Sequence, residues 1–236
     1  ATKDPDMLAM TDPDHFIDEA KFAAQLKHEN IIHVYDFGSV ENTFFIVMEY
    51  LFGKDLNLIL KKSAEINQNI DLENILFIIS KICEGLGYAH QLKNLQGNPL
   101  NIIHRDISPH NIFITYEGQI KLIDFGIAKA ASHATKTQTG IIKGKVAYMS
   151  PEQASGRHDD LDATSDVYAL GAILYELLTG RPPFRSDSVI DTLLDVVQSD
   201  PQPPRAVEPN VDRELEAICL KCLEKNPKDR YASAGA

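Results

Sequence analysis

The chain of 236 residues is poor in cysteine, in long apolar runs and in positive charge. Its three cysteines are too few for a disulfide framework, so they favour reduced thiols in the cytoplasm. No apolar run reaches the ~20 residues of a membrane-spanning helix, which predicts no membrane contact in this segment and leaves room for an anchor elsewhere. Acidic residues outnumber basic ones by 34 to 23, a formal net charge of −11. That balance argues against nucleic acid as a partner, because nucleic-acid binders carry a basic footprint.

Two of the cysteines, Cys219 and Cys222, have C-x-x-C spacing, which is found in zinc sites and in redox pairs. A structural zinc site needs a second close pair of Cys or His, and the sequence supplies none. A redox pair is expected in a βαβ context, whereas this stretch has a helical pattern. We therefore interpret the two thiols as helix residues one turn apart.

The order of patterns along the chain indicates a small part with strands before a larger helical part. Apolar residues at helical spacing predict an amphipathic helix over residues 13–27. Two runs, 31–37 and 44–50, read as strands joined by a turn-rich segment. After a boundary near Gly53, long helical patterns follow over residues 56–62, 72–92, 166–178, 189–198 and 211–223.

The segment 104–126 holds the most specific pattern, H-R-D-I-S-P-H-N-I-F-I-T-Y-E-G-Q-I-K-L-I-D-F-G. It contains Asp106, Asn111 five residues later and Asp124 eighteen residues after the first Asp. A hairpin over 112–123, with a turn at Glu117-Gly118, is the structural alternative. The hairpin does not explain why acids and an Asn lie at both of its ends. The tripeptide S-P-E at residues 150–152 adds a further ordered element.

This ordered set resembles the catalytic region of eukaryotic-like bacterial serine/threonine protein kinases. The resemblance implies an α+β, bilobal fold with a truncated small β lobe and a large, mainly helical lobe. Residues 1–52 would be the partial small lobe, containing helix C, strands 4 and 5 and the hinge. Residues 53–236 would be the large lobe, with the catalytic loop and the activation segment. ATP would bind between the lobes, and the partners would be protein substrates with Ser or Thr hydroxyls.

The resemblance also implies roles for the acids of the motif. Asp106 would orient the substrate hydroxyl or accept its proton, which needs only an ionised carboxylate. Asn111 and Asp124 would hold Mg²⁺, with Mn²⁺ as an alternative, because both offer hard oxygen ligands. Asp166 would anchor the catalytic loop through backbone amides, and Glu152 would form a buried ion pair with Arg230.

Five further residues match positions that bind the nucleotide in this family. Glu19 would pair with the phosphate-binding Lys, although an isolated helical Glu is more often a solvated acid. Met48 would be the gatekeeper, and the Glu49 carbonyl and Leu51 amide would meet the adenine edge. Phe113 would form the floor below the base, a role that overlaps with plain core packing.

The glycine-rich loop G-x-G-x-x-G of the family and the first strands of its small lobe are missing. The chain is therefore expected to be N-terminally truncated and, by itself, to bind ATP weakly and to transfer little phosphate. Lys3 lies sixteen residues before Glu19, close to the separation usual for the phosphate-pairing Lys. Whether Lys3 is that residue or an exposed terminal Lys stays open.

The activation segment corresponds by resemblance to residues 126–148. Thr137 and Thr139 stand where bacterial relatives commonly carry an autophosphorylation pair, which makes a homodimer a possible partner state. A phosphate there would add close to two negative charges for Arg105 to hold. The alternative is a polar loop in which the threonines only favour solubility.

Two positions depart from the family pattern in a reciprocal way. Ser108 stands where the family has a Lys that stabilises the transferring phosphoryl group. Lys145 stands where the family has a Thr in contact with that Lys. We hypothesise that the roles are exchanged and that Lys145 is a catalytic residue. The alternative is that Lys145 is an exposed loop residue and Ser108 marks a weakened kinase.

Three functions remain in competition at this point. The favoured function is transfer of the ATP γ-phosphoryl group to protein Ser or Thr in bacterial signalling. A pseudokinase scaffold is the alternative that Ser108 supports and the three intact motif residues oppose. A small-molecule kinase is opposed by the activation segment that ends in M-S-P-E. Preference for Ser/Thr over Tyr rests on overall resemblance, because the Lys that usually marks it is absent.

Overall fold

The computed structural model describes residues 25–41, 43–94, 96–125 and 144–236. Its first sheet is an antiparallel pair of strands, β1 (Val34–Val40) and β2 (Thr43–Met48). The first strand begins three residues later than the predicted run 31–37, because Ile31 pairs instead with a strand of a second sheet. Sequence periodicity alone cannot assign an apolar residue to one sheet or the other.

The second sheet joins three short antiparallel strands in the order β3-β4-β5. They are β3 (Gly53–Asp55), β4 (Ile112–Thr115) and β5 (Ile120–Leu122). The last two form the predicted hairpin, which is therefore confirmed. Gly53, near which the sequence placed the boundary between the two parts, begins a strand. A Cβ on it would lie 2.0 Å from the Ile114 carbonyl oxygen, so only glycine permits this pairing.

The two sheets are held together by the segment before β1. The Ile32 amide donates to the Leu122 carbonyl at 2.8 Å, and the Leu122 amide donates to the Asn30 carbonyl at 2.8 Å. The buried Asn30 side chain donates to the Ile120 carbonyl at 3.0 Å. These bonds align the small first sheet with β5, the strand that leads to Asp124.

Two helices follow β3 in the chain and pack against the second sheet. Helix α1 (Leu56–Glu65) begins at Asp55, whose carboxylate accepts from the Leu58 amide at 2.8 Å. Helix α2 (Leu72–Gln91) buries one face of residues spaced by three and four positions, Ile75, Ile78, Ile82, Leu86 and Ala89. This amphipathic pattern is the one that predicted the helix.

The centre of the helical part is α4 (Ala163–Thr179), which follows the short α3 (Pro151–Ala154). It begins at Ala163, three residues earlier than the predicted range 166–178, because the carboxylate of the preceding Asp162 caps the amide of Thr164. It ends at Gly180, whose φ of 76° suits glycine. Almost every residue of α4 from Thr164 to Tyr175 is buried, so it forms the core around which the other helices pack.

Three helices complete the chain: α5 (Val189–Gln198), α6 (Pro204–Val207) and α7 (Arg213–Cys222). Short 3-10 turns cover Pro109–Asn111, Val146–Tyr148, His158–Asp160 and Pro227–Asp229. Cys219 and Cys222 are buried in α7, which confirms them as helix residues. Within the described ranges, no cluster of His, Cys, Asp and Glu is arranged to hold a metal ion. The helices in those ranges also include none with the length and apolarity needed to cross a bilayer.

Candidate active site

The loop over residues 104–111, which corresponds by resemblance to the catalytic loop, is held at its start by one buried carboxylate on α4. The amides of His104 and Arg105 donate to the two oxygens of Asp166 at 2.8 and 2.9 Å. Asp166 is 1% exposed, and His90 also bonds it, at 2.9 Å. Arg105 has a φ of 66°, a strained conformation for a non-glycine residue that costs of order 1–3 kcal/mol. The predicted anchoring role of Asp166 is confirmed, and it explains how the strain is sustained.

Asp106 and Asn111 both lie in this loop and contact each other. The Asn111 side-chain nitrogen donates to the Asp106 carbonyl at 2.7 Å and to its carboxylate Oδ2 at 2.9 Å. Because that nitrogen serves both bonds, the amide oxygen of Asn111 is the end of the group that can ligate a cation. The 3-10 turn Pro109–Asn111 holds Asn111 close enough to Asp106 for these two hydrogen bonds.

Lys145 reaches the same carboxylate from a distant part of the chain. Its ammonium lies 2.6 Å from Asp106 Oδ2, and the two side chains are 28% and 23% exposed. Ser108 is 1% exposed, and its hydroxyl has no hydrogen-bond partner among the described residues. The loop therefore has a cation at the Asp106 carboxylate, and Lys145 supplies it where Ser108 cannot.

The third residue of the motif, Asp124, follows β5 by two positions on a neighbouring loop. Its φ of 60° is again unusual for a non-glycine residue. Next to it, the Ile123 amide donates to the Asn111 carbonyl at 3.0 Å, which joins the two loops. The structure thus brings Asp106, Asn111 and Asp124 onto two hydrogen-bonded loops, as the sequence pattern predicted.

The buried His104 ring forms hydrogen bonds with backbone groups of both loops. Burial lowers its pKa, so the imidazole is neutral at pH 7. A neutral ring has one donor and one acceptor nitrogen. Nδ1 accepts from the Asp106 amide at 3.3 Å, so Nε2 donates to the Ile123 carbonyl at 3.0 Å. The ring also packs against Phe125 at 4.5 Å between centroids.

The predicted hinge follows β2 and leaves polar backbone groups free. The Glu49 amide donates to the His33 carbonyl at 2.9 Å. The Glu49 carbonyl and the Leu51 amide form no hydrogen bond with any other described residue. Met48 is 38% exposed at the end of the strand. An unpaired acceptor and donor two residues apart can meet the edge of a planar base.

A lysine that the sequence reading did not assign fixes this hinge. Lys121 on β5 donates to the Glu49 carboxylate at 2.8 Å, and the His33 amide donates to the same oxygen at 2.8 Å. Burial raises the pKa of Glu49, but these hydrogen bonds outweigh it and leave the pKa lowered. Phe113 pairs with Lys121 in the sheet and is half-buried. The K-L-I-D-F-G run contained Lys121, but only the fold connects it with the hinge.

Away from the loops, Glu152 and Arg230 form the predicted buried ion pair. Two parallel bonds of 2.8 and 2.9 Å join the guanidinium and the carboxylate, and both side chains are 0% exposed. The Ser165 hydroxyl donates to the same carboxylate at 2.6 Å. This prediction is confirmed.

The structure does not describe four of the residues to which the sequence analysis gave a function. Lys3, Glu19, Thr137 and Thr139 lie outside the described residues.

Comparison with known proteins agrees with this geometry. The family described as "Protein kinase domain" matches residues 3–236. A similar structure is a crystal structure of a mutant PknI kinase domain of Mycobacterium tuberculosis, with a TM-score of 0.70 and 28% identity. That alignment covers 98% of this chain and 78% of the other. The α+β, bilobal kinase fold expected from the sequence is therefore confirmed.

Two curated relatives are similar over most or all of the chain. Tyrosine-protein kinase MasK of Myxococcus xanthus is 42% identical over 235 residues, which are 100% of this chain and 35% of MasK. Serine/threonine-protein kinase PknB of Mycobacterium leprae is 41% identical over 221 residues, 92% of this chain and 33% of PknB. The chain spans about a third of the length of these relatives. It belongs to the protein kinase family.

Proposed function

We propose that this chain is the catalytic domain of a bacterial protein serine/threonine kinase. It would transfer the γ-phosphoryl group of ATP to Ser or Thr hydroxyls of protein substrates. The observation that carries the proposal is the contact of Asp106 with Asn111 and Lys145 through bonds of 2.6 to 2.9 Å, at a loop whose backbone is anchored by Asp166. Phosphoryl transfer depends mainly on positioning and on charge stabilisation, and this constellation offers both.

Asp106 is the proposed residue for the acceptor hydroxyl. Its carboxylate is held by Asn111 on one side and by Lys145 on the other, so its direction is set before a substrate arrives. A positioned carboxylate can accept the hydroxyl proton as the phosphoryl group is transferred. Preorganised positioning of this kind reduces the entropic cost of reaching the transition state.

Asn111 and Asp124 are the proposed ligands of a divalent metal, Mg²⁺ in the first place and Mn²⁺ as an alternative. The donor set fits Mg²⁺, which takes one or two carboxylates together with substrate phosphates rather than a complete protein cage. Bound Mg²⁺ would neutralise charge on the phosphates. The contribution of the chain is to hold an amide oxygen and a carboxylate on two loops joined by the Ile123 amide.

The adenine is proposed to bind at the hinge. The free Glu49 carbonyl and Leu51 amide would meet its edge, with Met48 beside it and Phe113 below. Lys121 supports this arrangement because it fixes the Glu49 side chain at 2.8 Å. Glu19 is proposed to orient the Lys that contacts the phosphates.

Lys145 is proposed to stabilise the charge on the transferring phosphoryl group. It has the position and the charge for this task, because its ammonium already lies at the Asp106 carboxylate. A flexible, partly exposed ammonium can exchange a carboxylate for a phosphate oxygen as the substrates bind. The proposal explains how a kinase with Ser108 retains a cation at the reaction centre.

The direct test uses the full-length protein with γ-labelled ATP, Mg²⁺ and generic protein substrates. Transfer of label to Ser and Thr, and its loss in Asp106→Asn and Asp124→Asn variants with unchanged unfolding temperature, would support the proposal. Label on Tyr alone would favour the activity that the name of MasK states. ATP binding without transfer would favour the pseudokinase alternative.

Thr137 and Thr139 are proposed as autophosphorylation sites, with one copy of the protein acting on another. The proposal rests on the T-x-T pattern in the activation segment. Phosphopeptide mapping of the full-length protein after incubation with ATP tests it. If a Thr137→Ala, Thr139→Ala double variant incorporates as much phosphate as the parent, these are not the sites.

A further inference from the structure

A groove of about 610 Å³ opens beside the catalytic loop. It lies between α1, the turn Val146–Tyr148, the end of α4 and the loop that precedes α5. His110 and Gly144 line it, and these residues are next in sequence to Asn111 and Lys145. A protein segment whose hydroxyl is placed at Asp106 would therefore extend its flanking residues into this groove. The inference rests on the proposed function and concerns which segments fit.

The charged side chains of the groove are mostly cationic. Lys61 on α1 and Arg185 before α5 line it, and both are exposed. They belong to two different elements of its lining, α1 and the loop before α5. Two exposed cations in one groove can both contact side chains of one bound segment.

Glu176 is the only carboxylate among the described lining residues, and it is already engaged. Its carboxylate accepts a short hydrogen bond from the Tyr148 hydroxyl. Burial raises the pKa of Glu176, and neither the Tyr148 hydrogen bond nor the charge of Arg185 outweighs this effect. One carboxylate stands against two cations, so the lining keeps an excess of positive charge.

His110 adds a polar group without a partner. Its Nδ1 is buried and forms no hydrogen bond with any described residue, although the ring lines the groove. This nitrogen can form a hydrogen bond with a bound segment, and the selection by charge falls to Lys61 and Arg185.

The local charge opposes that of the chain as a whole, which is −11. At physiological ionic strength, charges more than about 8 Å apart are largely screened. A bound segment therefore responds to the side chains of the groove rather than to the net charge. We propose that this groove selects protein segments in which acidic residues flank the acceptor hydroxyl, with Lys61 and Arg185 pairing with their carboxylates.

The test compares three peptides with one acceptor and with acidic, uncharged or basic flanking residues, using the full-length protein. The acidic peptide is expected to have a kcat/KM about tenfold above the uncharged one, as two partly exposed ion pairs allow, and to lose this advantage in high salt. The difference should appear in KM rather than in kcat, because the flanking residues do not enter the reaction.

Matched variants assign the effect to the groove. Lys61→Glu and Arg185→Glu should each remove most of the preference for acidic peptides. Lys62→Glu is the control, because Lys62 is also an exposed residue of α1 and does not line this groove. Equal losses in Lys61→Glu and Lys62→Glu, or a preference for basic or uncharged flanks, would overturn the proposal.

Binding of the same peptides, measured by fluorescence anisotropy, separates this inference from the proposed function. Selective binding of the acidic peptide without phosphate transfer would contradict the kinase activity and leave the groove assignment standing. Phosphate transfer to all three peptides at equal kcat/KM would support the kinase activity and contradict the groove assignment.

Discussion

Two ion pairs of the helical part differ in burial and, with it, in what they can do. Glu152 and Arg230 are completely buried and joined by two parallel bonds. Asp106 and Lys145 are joined by a single bond of 2.6 Å and remain 23% and 28% exposed. All nitrogen atoms of the Arg230 guanidinium already donate hydrogen bonds to protein groups. The partly exposed Asp106 and Lys145 side chains can accept a new partner.

The difference shows how burial separates structural from reactive charge. Removing one half of a buried pair leaves a charge that has lost both water and partner, so the whole fold depends on it. A partly exposed pair contributes little to stability, because water can replace either partner. The charged groups of such a pair are therefore free to contact a phosphate oxygen or a substrate hydroxyl.

The largest effect is expected from breaking the buried pair. Arg230→Met should lower the free energy of unfolding by about 3–5 kcal/mol, because Glu152 would be left buried and unpaired. Urea unfolding of the parent and the variant measures it. A loss below about 1 kcal/mol would mean that water reaches Glu152 and that the pair is not structural.

Acid should weaken the same pair. Burial raises the pKa of Glu152, but hydrogen bonds from Arg230 and Ser165 outweigh it and leave the pKa below 4.5. A lowered folded-state pKa gives stability that is present above the unfolded value and is lost as pH falls through the folded one. The parent should therefore lose more stability than Arg230→Met between pH 5 and about pH 2. Equal slopes for the two proteins would contradict this.

The next effect is expected at the exposed pair, and on turnover rather than stability. Lys145→Ala should lower kcat of the full-length protein by about 10²–10³-fold, as loss of a charge-stabilising donor does elsewhere. Its unfolding free energy should change by less than about 1 kcal/mol. Steady-state kinetics and urea unfolding of the same preparation measure both.

A double substitution makes this prediction sharper. If Lys145 performs the task usual for the position of Ser108, then Ser108→Lys combined with Lys145→Thr should recover part of the activity that Lys145→Ala loses. An unchanged kcat in Lys145→Ala would show that the ammonium has no catalytic role. Lys62→Ala, on an exposed surface, is the control for loss of a positive charge.

An intermediate effect is expected at the hinge, where Lys121 and Glu49 are 10% and 21% exposed. Lys121→Met should lower stability by about 1–2 kcal/mol and weaken ATP binding several-fold, because the Glu49 carboxylate loses a donor. Calorimetric titration with ATP and Mg²⁺ measures the affinity. Weaker stability with unchanged affinity would limit Lys121 to a structural role.

The smallest effect is expected at Arg157 and Asp160, which are 54% and 57% exposed and 3.4 Å apart. Arg157→Ala should change the unfolding free energy by no more than about 0.5 kcal/mol. A larger change would contradict the expectation that the contribution of an ion pair to stability grows with its burial.

Much of the fold could be predicted from local patterns. The hairpin of β4 and β5 followed from alternation around the Glu117-Gly118 turn, and the helices from their apolar spacing. Helix and strand bounds were less certain, since a cap such as Asp162 contributes through one side-chain bond that periodicity does not register. Ile31 read as the start of β1 but pairs with Leu122, because an apolar residue fits either sheet.

The candidate site divides in the same way. Asp106, Asn111 and Asp124 were identified from sequence because they lie within one ordered segment. Lys121 was not assigned, because its partner Glu49 is 72 residues away. For Lys145, the reciprocal change with Ser108 indicated a function, but the spacing could not show whether the ammonium reaches the loop.

The sequence alone determined the family, the order of the elements and the residues that we propose for phosphoryl transfer. These depend on residue types at short, fixed spacings, which local geometry preserves. Only the tertiary structure decided that Lys145 contacts Asp106 across 39 residues and that Lys121 fixes the hinge. It also decided that the Glu152–Arg230 pair is buried and that the Asp106–Lys145 pair is partly exposed to solvent. Contacts between distant segments and the exclusion of water depend on how the whole chain packs, and no local pattern encodes them.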